Sequence, residues 1–151
     1  MTRKCPRTAV AVAAAVLGLL AGCGGDAGPS EEPSDEDSVA LRVVIPDANI
    51  REPDTPCSGA HGFRFAHAQA PYAVQDATGH EVASGELPEG IAEKAYTLDL
   101  GEARQPTVCV MMVDVPGVET LDGLSLVIDD RSPVPIEPNP NLDGIPEVVL
   151  R

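Results

Sequence analysis

The amino-acid sequence predicts an all-β fold, a single antiparallel β-sandwich that spans residues 39–151. In this part of the chain apolar and polar residues alternate in several short runs, and no window repeats apolar residues with the period of a helix. Gly, Pro and Asp separate the runs at intervals of about ten residues, a spacing typical of short strands joined by tight turns. The length suits one domain with its own core.

The alternating runs mark about eight short strands. Tyr72 and Val74 lead into Asp76-Ala77-Thr78-Gly79, and Val82 follows on the return strand. Gly79 can adopt a positive φ, so this segment predicts a tight hairpin. The run from Thr107 to Val115 is apolar on both sides, which predicts the most central strand. The other apolar runs are Val39 to Ile45, Phe63 with Phe65, Tyr96 to Leu100, Leu124 to Ile128 and Ile145 to Leu150.

Aromatic side chains are few and there is no Trp. The strand pattern predicts inward positions for all of them, Phe63, Phe65, Tyr72 and Tyr96. Sugar-binding proteins commonly expose aromatic faces on which sugar rings stack. A glycan-binding lectin is therefore not expected.

One stretch of the predicted sandwich resembles a known type of module. The residues Tyr72-Ala-Val-Gln-Asp-Ala-Thr-Gly79, followed by Gly85-Glu-Leu-Pro-Glu-Gly90, are similar to hairpins of immunoglobulin-like and prealbumin-like sandwiches. The pattern is short and generic, so the resemblance implies a fold class and no activity.

The first residues have the order of a targeting segment. Arg3, Lys4 and Arg7 give a positive start, and an uncharged stretch rich in Ala, Val and Leu follows from Thr8 to Leu20. That length suits the apolar region of a signal peptide and is short for a membrane span.

The apolar stretch ends in Leu20-Ala21-Gly22-Cys23. A Leu three residues before a Cys, with two small residues between them, resembles the lipobox of bacterial lipoprotein precursors. The resemblance implies that residues 1–22 are a signal peptide and that Cys23 becomes the acylated first residue. The protein would then be lipid-anchored to the extracytoplasmic face of a cell membrane, because two or three acyl chains anchor stably. The alternative is an ordinary secretory signal with an incidental cysteine.

Residues 23–38 predict an acidic, disordered linker. After Cys23 this segment contains six acidic residues, no basic residue and no large apolar side chain. Such a composition cannot offset the entropy lost on ordering. We expect the segment to hold the domain away from the membrane.

The net charge restricts the partners. All 24 acidic residues follow Cys23, whereas three of the ten basic residues precede it, so the chain from Cys23 onward carries a net charge of −17. This charge repels nucleic acid and anionic lipid head groups. We expect the partner to be an extracytoplasmic protein with a basic surface.

Cysteine counting agrees with export. If Cys5 leaves with the signal peptide and Cys23 takes the lipid, Cys57 and Cys109 remain. Two thiols in an oxidising compartment predict one disulfide, which would fix the 51–62 loop to the central strand. The alternative is a metal site, because His61 and His67 follow Cys57, but their spacing is not that of a compact four-ligand site.

The segment from Asn139 to Gly144 resembles the first half of a calcium loop. Asn139, Asn141 and Asp143 place oxygen ligands at alternate positions before a glycine. Position 12 is Leu150 rather than the usual bidentate Glu, which predicts weak calcium binding at most. The alternative is that these side chains cap their own turn between two strands.

No motif predicts catalysis. Ser58, His61 and Asp54 are close in sequence, but catalytic triads converge from separate parts of a fold. The usual hydrolase motifs do not occur. The sequence therefore predicts a non-catalytic interaction or accessory module without a cofactor. The alternative is a structural or solute-handling lipoprotein that binds calcium weakly.

Overall fold

The computed structural model describes residues 38–96, 103 and 105–151, which form two packed β-sheets. The larger sheet has the spatial order β2 (Pro56–Cys57), β5 (Gly90–Lys94), β6 (Thr107–Pro116), β1 (Ser38–Ile45), β10 (Ile145–Val149) and β9 (Glu137–Asn139). The smaller sheet has the order β4 (Glu81–Glu86), β3 (Pro71–Gln75), β7 (Ser125–Ile128) and β8 (Val134–Pro135). The pairs are antiparallel except β1 with β10, which is parallel. The predicted all-β sandwich is confirmed.

The core lies between the two sheets and follows the two-residue period of the strands. In the larger sheet, alternate residues of β1 and β6 face inward and are buried, among them Leu41, Val43 and Met111. Val74 and Leu126 oppose them from β3 and β7. Burying a side chain of this size stabilises the fold by about 1.5–3 kcal/mol. The other large members are Ile45, Tyr72, Leu87, Val113, Val115, Leu121, Ile128, Ile136, Val148 and Leu150.

Most of the predicted strands are present. The runs that begin at Val39, Leu124 and Ile145 become β1, β7 and β10. The hairpin between β3 and β4 turns where predicted, and Gly79 has a φ of 82°. β6 is the longest strand and pairs with β5 and β1, as expected for a central strand.

Two predictions about the aromatic residues are wrong. Phe63 and Phe65 do not form a strand, because a 3₁₀ turn at His61–Phe63 reverses the chain and the Ala66 N–H donates to the Phe63 carbonyl at 2.9 Å. Two alternating apolar residues fit such a turn as well as a strand. Tyr96 is exposed rather than inward. Tyr72 is buried as predicted.

Several sequence predictions lie outside the described residues. These are the signal peptide (residues 1–22), the lipidated Cys23, the linker up to residue 37, and positions 97–100 of the strand expected from Tyr96 to Leu100. β1 begins at Ser38, one residue before the predicted domain start. Within the described ranges, no helix is long and apolar enough to cross a membrane.

Candidate functional site

The disulfide joins Cys57 to Cys109 across the edge of the larger sheet, with Cα atoms 5.7 Å apart. Gly90 lies beside it on β5, and a Cβ there would be 2.5 Å from the Cys109 sulfur. The close approach of the bond to the backbone therefore requires glycine at this position. The predicted disulfide is confirmed, and Cys57 is not available as a thiolate metal ligand beside His61 and His67.

The three residues weighed for catalysis do not assemble into a site. Asp54 precedes β2, Ser58 follows it and His61 begins the 3₁₀ turn. All three are exposed, and no hydrogen bond joins them in the described part of the chain. Asp54 and His61 adopt positive φ values of 62° and 52°, which fit turn positions. This arrangement offers no nucleophile–base contact.

The 139–144 segment is the turn of the β9–β10 hairpin. The Asn141 N–H donates to the side-chain oxygen of Asn139 at 2.9 Å, and the Gly144 N–H donates to the Asn139 carbonyl at 3.0 Å. Asn139 therefore caps its own turn. Among the described residues, no group of three His, Cys, Asp or Glu side chains is placed to hold a metal ion. Weak calcium binding through Asn139, Asn141 and Asp143 stays a prediction.

A candidate contact surface is the side of the larger sheet that points away from the smaller one, here called the outer face. It is formed by the residues of β1, β5, β6 and β10 that alternate with the core positions. Register pairing places four residues side by side across the strands, in the order Ile91, Val110, Val44 and Val149. These four side chains form one apolar row across four strands.

An ion-paired group crosses the apolar row. The guanidinium of Arg42 on β1 contacts the carboxylate of Glu147 on β10 and, at 2.6 Å, that of Glu93 on β5. Arg42 is two residues before Val44 on β1, and Glu93 is two residues after Ile91 on β5. Both strands run in the same direction, so the two residues lie on opposite sides of the row. The Arg42 side chain therefore reaches over the row, and its methylene stem can cover apolar surface.

Exposure along the row agrees with this cover. Val44 and Val110 at its centre are only 7% and 3% exposed, whereas Ile91 and Val149 at its ends are 40% and 37% exposed. Met112 and Ile145 add further exposed apolar surface to the same face. Four of the seven large hydrophobic side chains found exposed in the described residues are thus on the outer face. Singly scattered apolar residues are normal on a protein surface, but a grouped set marks a contact site.

A second ion pair fixes the chain where β1 ends. The buried carboxylate of Asp47 accepts hydrogen bonds from the Arg51 guanidinium at 2.7 and 3.0 Å. Arg51 also donates to the Ser58 carbonyl at 3.2 Å, which connects this corner to the disulfide loop. Burial raises the pKa of Asp47, but the hydrogen bonds from Arg51 and Asn49 and the Arg51 charge outweigh it, so the pKa lies below the usual 3.8. Arg51 thus joins the end of β1 to the residue that follows β2, which indicates a structural role for the pair.

No family model, no curated protein and no solved structure matches this chain. The resemblance to immunoglobulin-like or prealbumin-like modules therefore stays a prediction. Any function has to be inferred from the surfaces themselves.

The outer face was not predicted, although the sequence contains a pattern that indicates it. The run from Thr107 to Val115 is apolar on both sides, and this pattern predicts the most central strand. The structure covers one side of it with the second sheet and the other side only in part, at Val110. Met112 on the same side is exposed. A two-sided apolar strand can thus mark a binding face as well as a central position.

Proposed function

We propose that this protein is a membrane-anchored, non-catalytic interaction module on the extracytoplasmic side of a cell membrane. The observation that carries the interaction role is the outer face, where exposed apolar side chains surround a carboxylate-rich ion group. The residues that support anchoring are Leu20-Ala21-Gly22-Cys23, which resemble a lipobox. The partner is an extracytoplasmic protein that offers an apolar patch with basic residues around it.

The chemistry of the face selects this partner. Ile91, Met112 and Val149 release ordered water when they are covered, which favours association. Glu93 is nearly half exposed and shares the Arg42 guanidinium with Glu147, so these two carboxylates outnumber the one cation. Basic groups at the rim of the partner would complement the excess charge and speed the encounter.

The contact can be tested by site-specific photo-crosslinking of the full chain in membranes. A photoreactive amino acid at position 112 is expected to give a crosslinked adduct. The same residue at position 82 is the matched control, because Val82 is as exposed as Ile91 but belongs to the smaller sheet. Adduct formation should weaken as the salt concentration rises from about 50 to about 300 mM. Equal adducts from positions 82 and 112 would reject the outer face as the binding surface.

The anchor is tested separately. In a host that processes lipoproteins, the Cys23→Ala variant is expected to lose its lipid and to leave the membrane fraction. A variant that stays bound to membranes with an uncut signal, as the unmodified chain also does, would show that residues 8–20 are themselves the anchor. Hydrolysis of an ester, peptide or glycoside panel that disappears in Ser58→Ala would overturn the non-catalytic role.

A further inference from the structure

A cleft of about 430 Å³ lies at one end of the sandwich and is separate from the outer face. Both sheets contribute to it. Leu126 and Ile128 come from β7 in the smaller sheet, and Leu150 follows β10 in the larger one. Phe63 and Phe65 come from the turn after the disulfide loop. The volume lies within the range of about 300–1,000 Å³ that is usual for small-molecule sites.

The walls of the cleft are apolar and partly open. Leu126, Ile128 and Leu150 are at most 3% exposed and belong to the core, so they form a fixed floor. Phe63 and Phe65 are half-buried, and their ring centroids are 6.4 Å apart with the ring planes tilted by 49°. Aromatic surface that packs against the core on one side and is open on the other favours an apolar ligand.

The turn that carries the two rings is held in place. The Gly59 N–H donates to the Ala66 carbonyl at 2.7 Å, which closes the loop just after Cys57. A Cβ on Gly59 would lie 1.9 Å from the Phe63 carbonyl oxygen, so this closure requires glycine. The disulfide fixes Cys57 two residues earlier. The aromatic wall is therefore largely preformed, which reduces the entropy lost on binding.

The charges at the cleft are the reverse of those of the whole chain. Arg131 and Arg151 line it and none of the lining residues has an acidic side chain, although the chain contains 24 acidic residues. Arg42 and Arg51 are bound to carboxylates elsewhere. Within the described ranges, neither Arg131 nor Arg151 forms an ion pair.

Arg131 is placed to receive an anion. Its guanidinium carbon lies 4.6 Å from the centre of the Phe65 ring, and its backbone N–H donates to the Ile128 carbonyl at 3.1 Å. The stacked ring holds one face of the guanidinium by a cation–π contact. The N–H groups at its edge then remain for a planar bidentate acceptor, for which carboxylate is a good match.

We infer that this cleft binds a small amphiphilic carboxylate, an aliphatic chain with one terminal carboxylate as in a medium-chain fatty acid. The chain lies against Phe63, Phe65 and the Leu126–Ile128 floor, and the carboxylate binds Arg131 at the rim. A cationic ligand is not expected, because no acidic side chain lines the cleft. A small hydrophilic anion is not expected either, because it would not contact the aromatic wall. The site is independent of the outer face and of its partner.

The test uses the full chain with Cys23→Ser, which cannot be acylated at that position. Binding of decanoate, decanol, acetate and decyltrimethylammonium is compared by displacement of the anionic dye 1-anilinonaphthalene-8-sulfonate. We expect decanoate to bind about tenfold more tightly than decanol, because the alcohol lacks the charge-assisted hydrogen bonds. Acetate and the cationic amphiphile should not displace the dye. Any dye that binds to residues 8–20 contributes the same signal in every variant. This contribution therefore cancels when the variants below are compared with one another.

Matched variants locate the site. Arg131→Gln is expected to weaken decanoate binding about tenfold and to leave decanol binding unchanged. Arg64→Gln is the control, because Arg64 is exposed between the two rings in sequence but does not line the cleft. Independently of any variant, backbone amide shifts caused by decanoate should be concentrated at residues 62–65, 126–134 and 150–151.

Three results would overturn the inference. They are equal affinities for decanoate and decanol, unchanged decanoate affinity in Arg131→Gln, and amide shifts that avoid the cleft. A fourth concerns the ligand class. If an acetylated peptide with an apolar C-terminal residue binds more than tenfold more tightly than decanoate, the site recognises peptide ends and the fatty-carboxylate assignment is wrong.

Discussion

The outer face and the cleft both bring an arginine to apolar surface, but with opposite results. On the outer face, Arg42 is bound to Glu93 and Glu147, and it lies across the centre of an apolar row. In the cleft, Arg131 stacks on Phe65 and has no ion-pair partner among the described residues. Where carboxylates of the same chain pair with the arginine, its side chain covers the apolar surface. Where no such carboxylate is near, the guanidinium remains open to an external anion.

The largest effect should come from the disulfide, because its loss releases the segment that carries the aromatic wall of the cleft. Cys57 and Cys109 are 52 residues apart. In the chain-entropy model, a disulfide that closes a loop of this size raises the free energy of unfolding by about 4 kcal/mol. We expect the double variant Cys57→Ser/Cys109→Ser to melt about 15 °C or more below the parent chain, measured by circular dichroism.

Hydrogen exchange should distinguish the two regions in that variant. Amides around Phe63 and Phe65 are expected to lose protection well before those of β1 and β6, because the aromatic turn follows directly after the released Cys57. Uniform loss of protection would show that the disulfide does not act preferentially on the cleft. If Cys57 and Cys109 can both be alkylated in the parent protein purified under oxidising conditions, the disulfide is absent and both predictions fail.

The Asp47–Arg51 pair should give the next largest effect. Asp47→Asn leaves a partly buried guanidinium without its charge partner, at a cost of about 2–3 kcal/mol. Asp130→Asn, on an exposed turn, is the control and should change stability by less than about 0.5 kcal/mol. Chemical denaturation at neutral pH measures both. Equal losses in the two variants would mean that the pair at the end of β1 contributes nothing specific.

The same pair predicts a pH dependence. The folded pKa of Asp47 lies below the ordinary value of 3.8, so the stabilisation from the pair is complete above that value and is lost as the pH falls through the lower folded pKa. The parent chain should therefore lose more stability than Asp47→Asn in this acidic range. Parallel stability curves for the two proteins below pH 4 would contradict the assignment.

The smallest effect concerns the cover on the outer face. Arg42→Ala removes the stem over Val44 and Val110 and leaves Glu147 unpaired, at a cost of about 1–2 kcal/mol. The variant Arg42→Met/Glu147→Gln keeps an apolar stem and removes the unpaired carboxylate, so we expect it to lose less than half as much. Denaturation midpoints compare the two. Similar losses would show that the charges, and not the stem, matter on this face.

Alternation sufficed to predict β1, β3, β6, β7 and β10, because in those strands the inward positions carry large apolar side chains. The return strand β4 followed from the turn at Asp76 to Gly79, since its residues opposite Val74 and Tyr72 are the small Ala83 and Gly85. β5 was missed for a physical reason. Its inward positions are Gly90 and Ala92, which are small because the disulfide passes beside Gly90, so the strand carries no apolar alternation. The disulfide itself followed from counting cysteines.

The cleft could not be predicted from the sequence. Its walls come from three segments near positions 63, 128 and 150, and no local pattern reports which chain segments meet at one end of a sandwich. The alternation of Phe63 and Phe65 predicts a strand, in which both rings would face the core. Arg131 follows two acidic residues and reads as part of a solvated turn. Only the packing of the sheets places it over Phe65.

The parallel pairing of β1 with β10 has a directional consequence. Both strands start at the same end of the sheet, where Ser38 joins the segment that leads back to Cys23. Leu150 and Arg151 follow the opposite end, and both line the cleft. Eight residues of extended strand separate the two ends by roughly 25 Å. A fatty carboxylate in the cleft would therefore contact the end of the domain that is remote from the point where Ser38 joins the preceding segment.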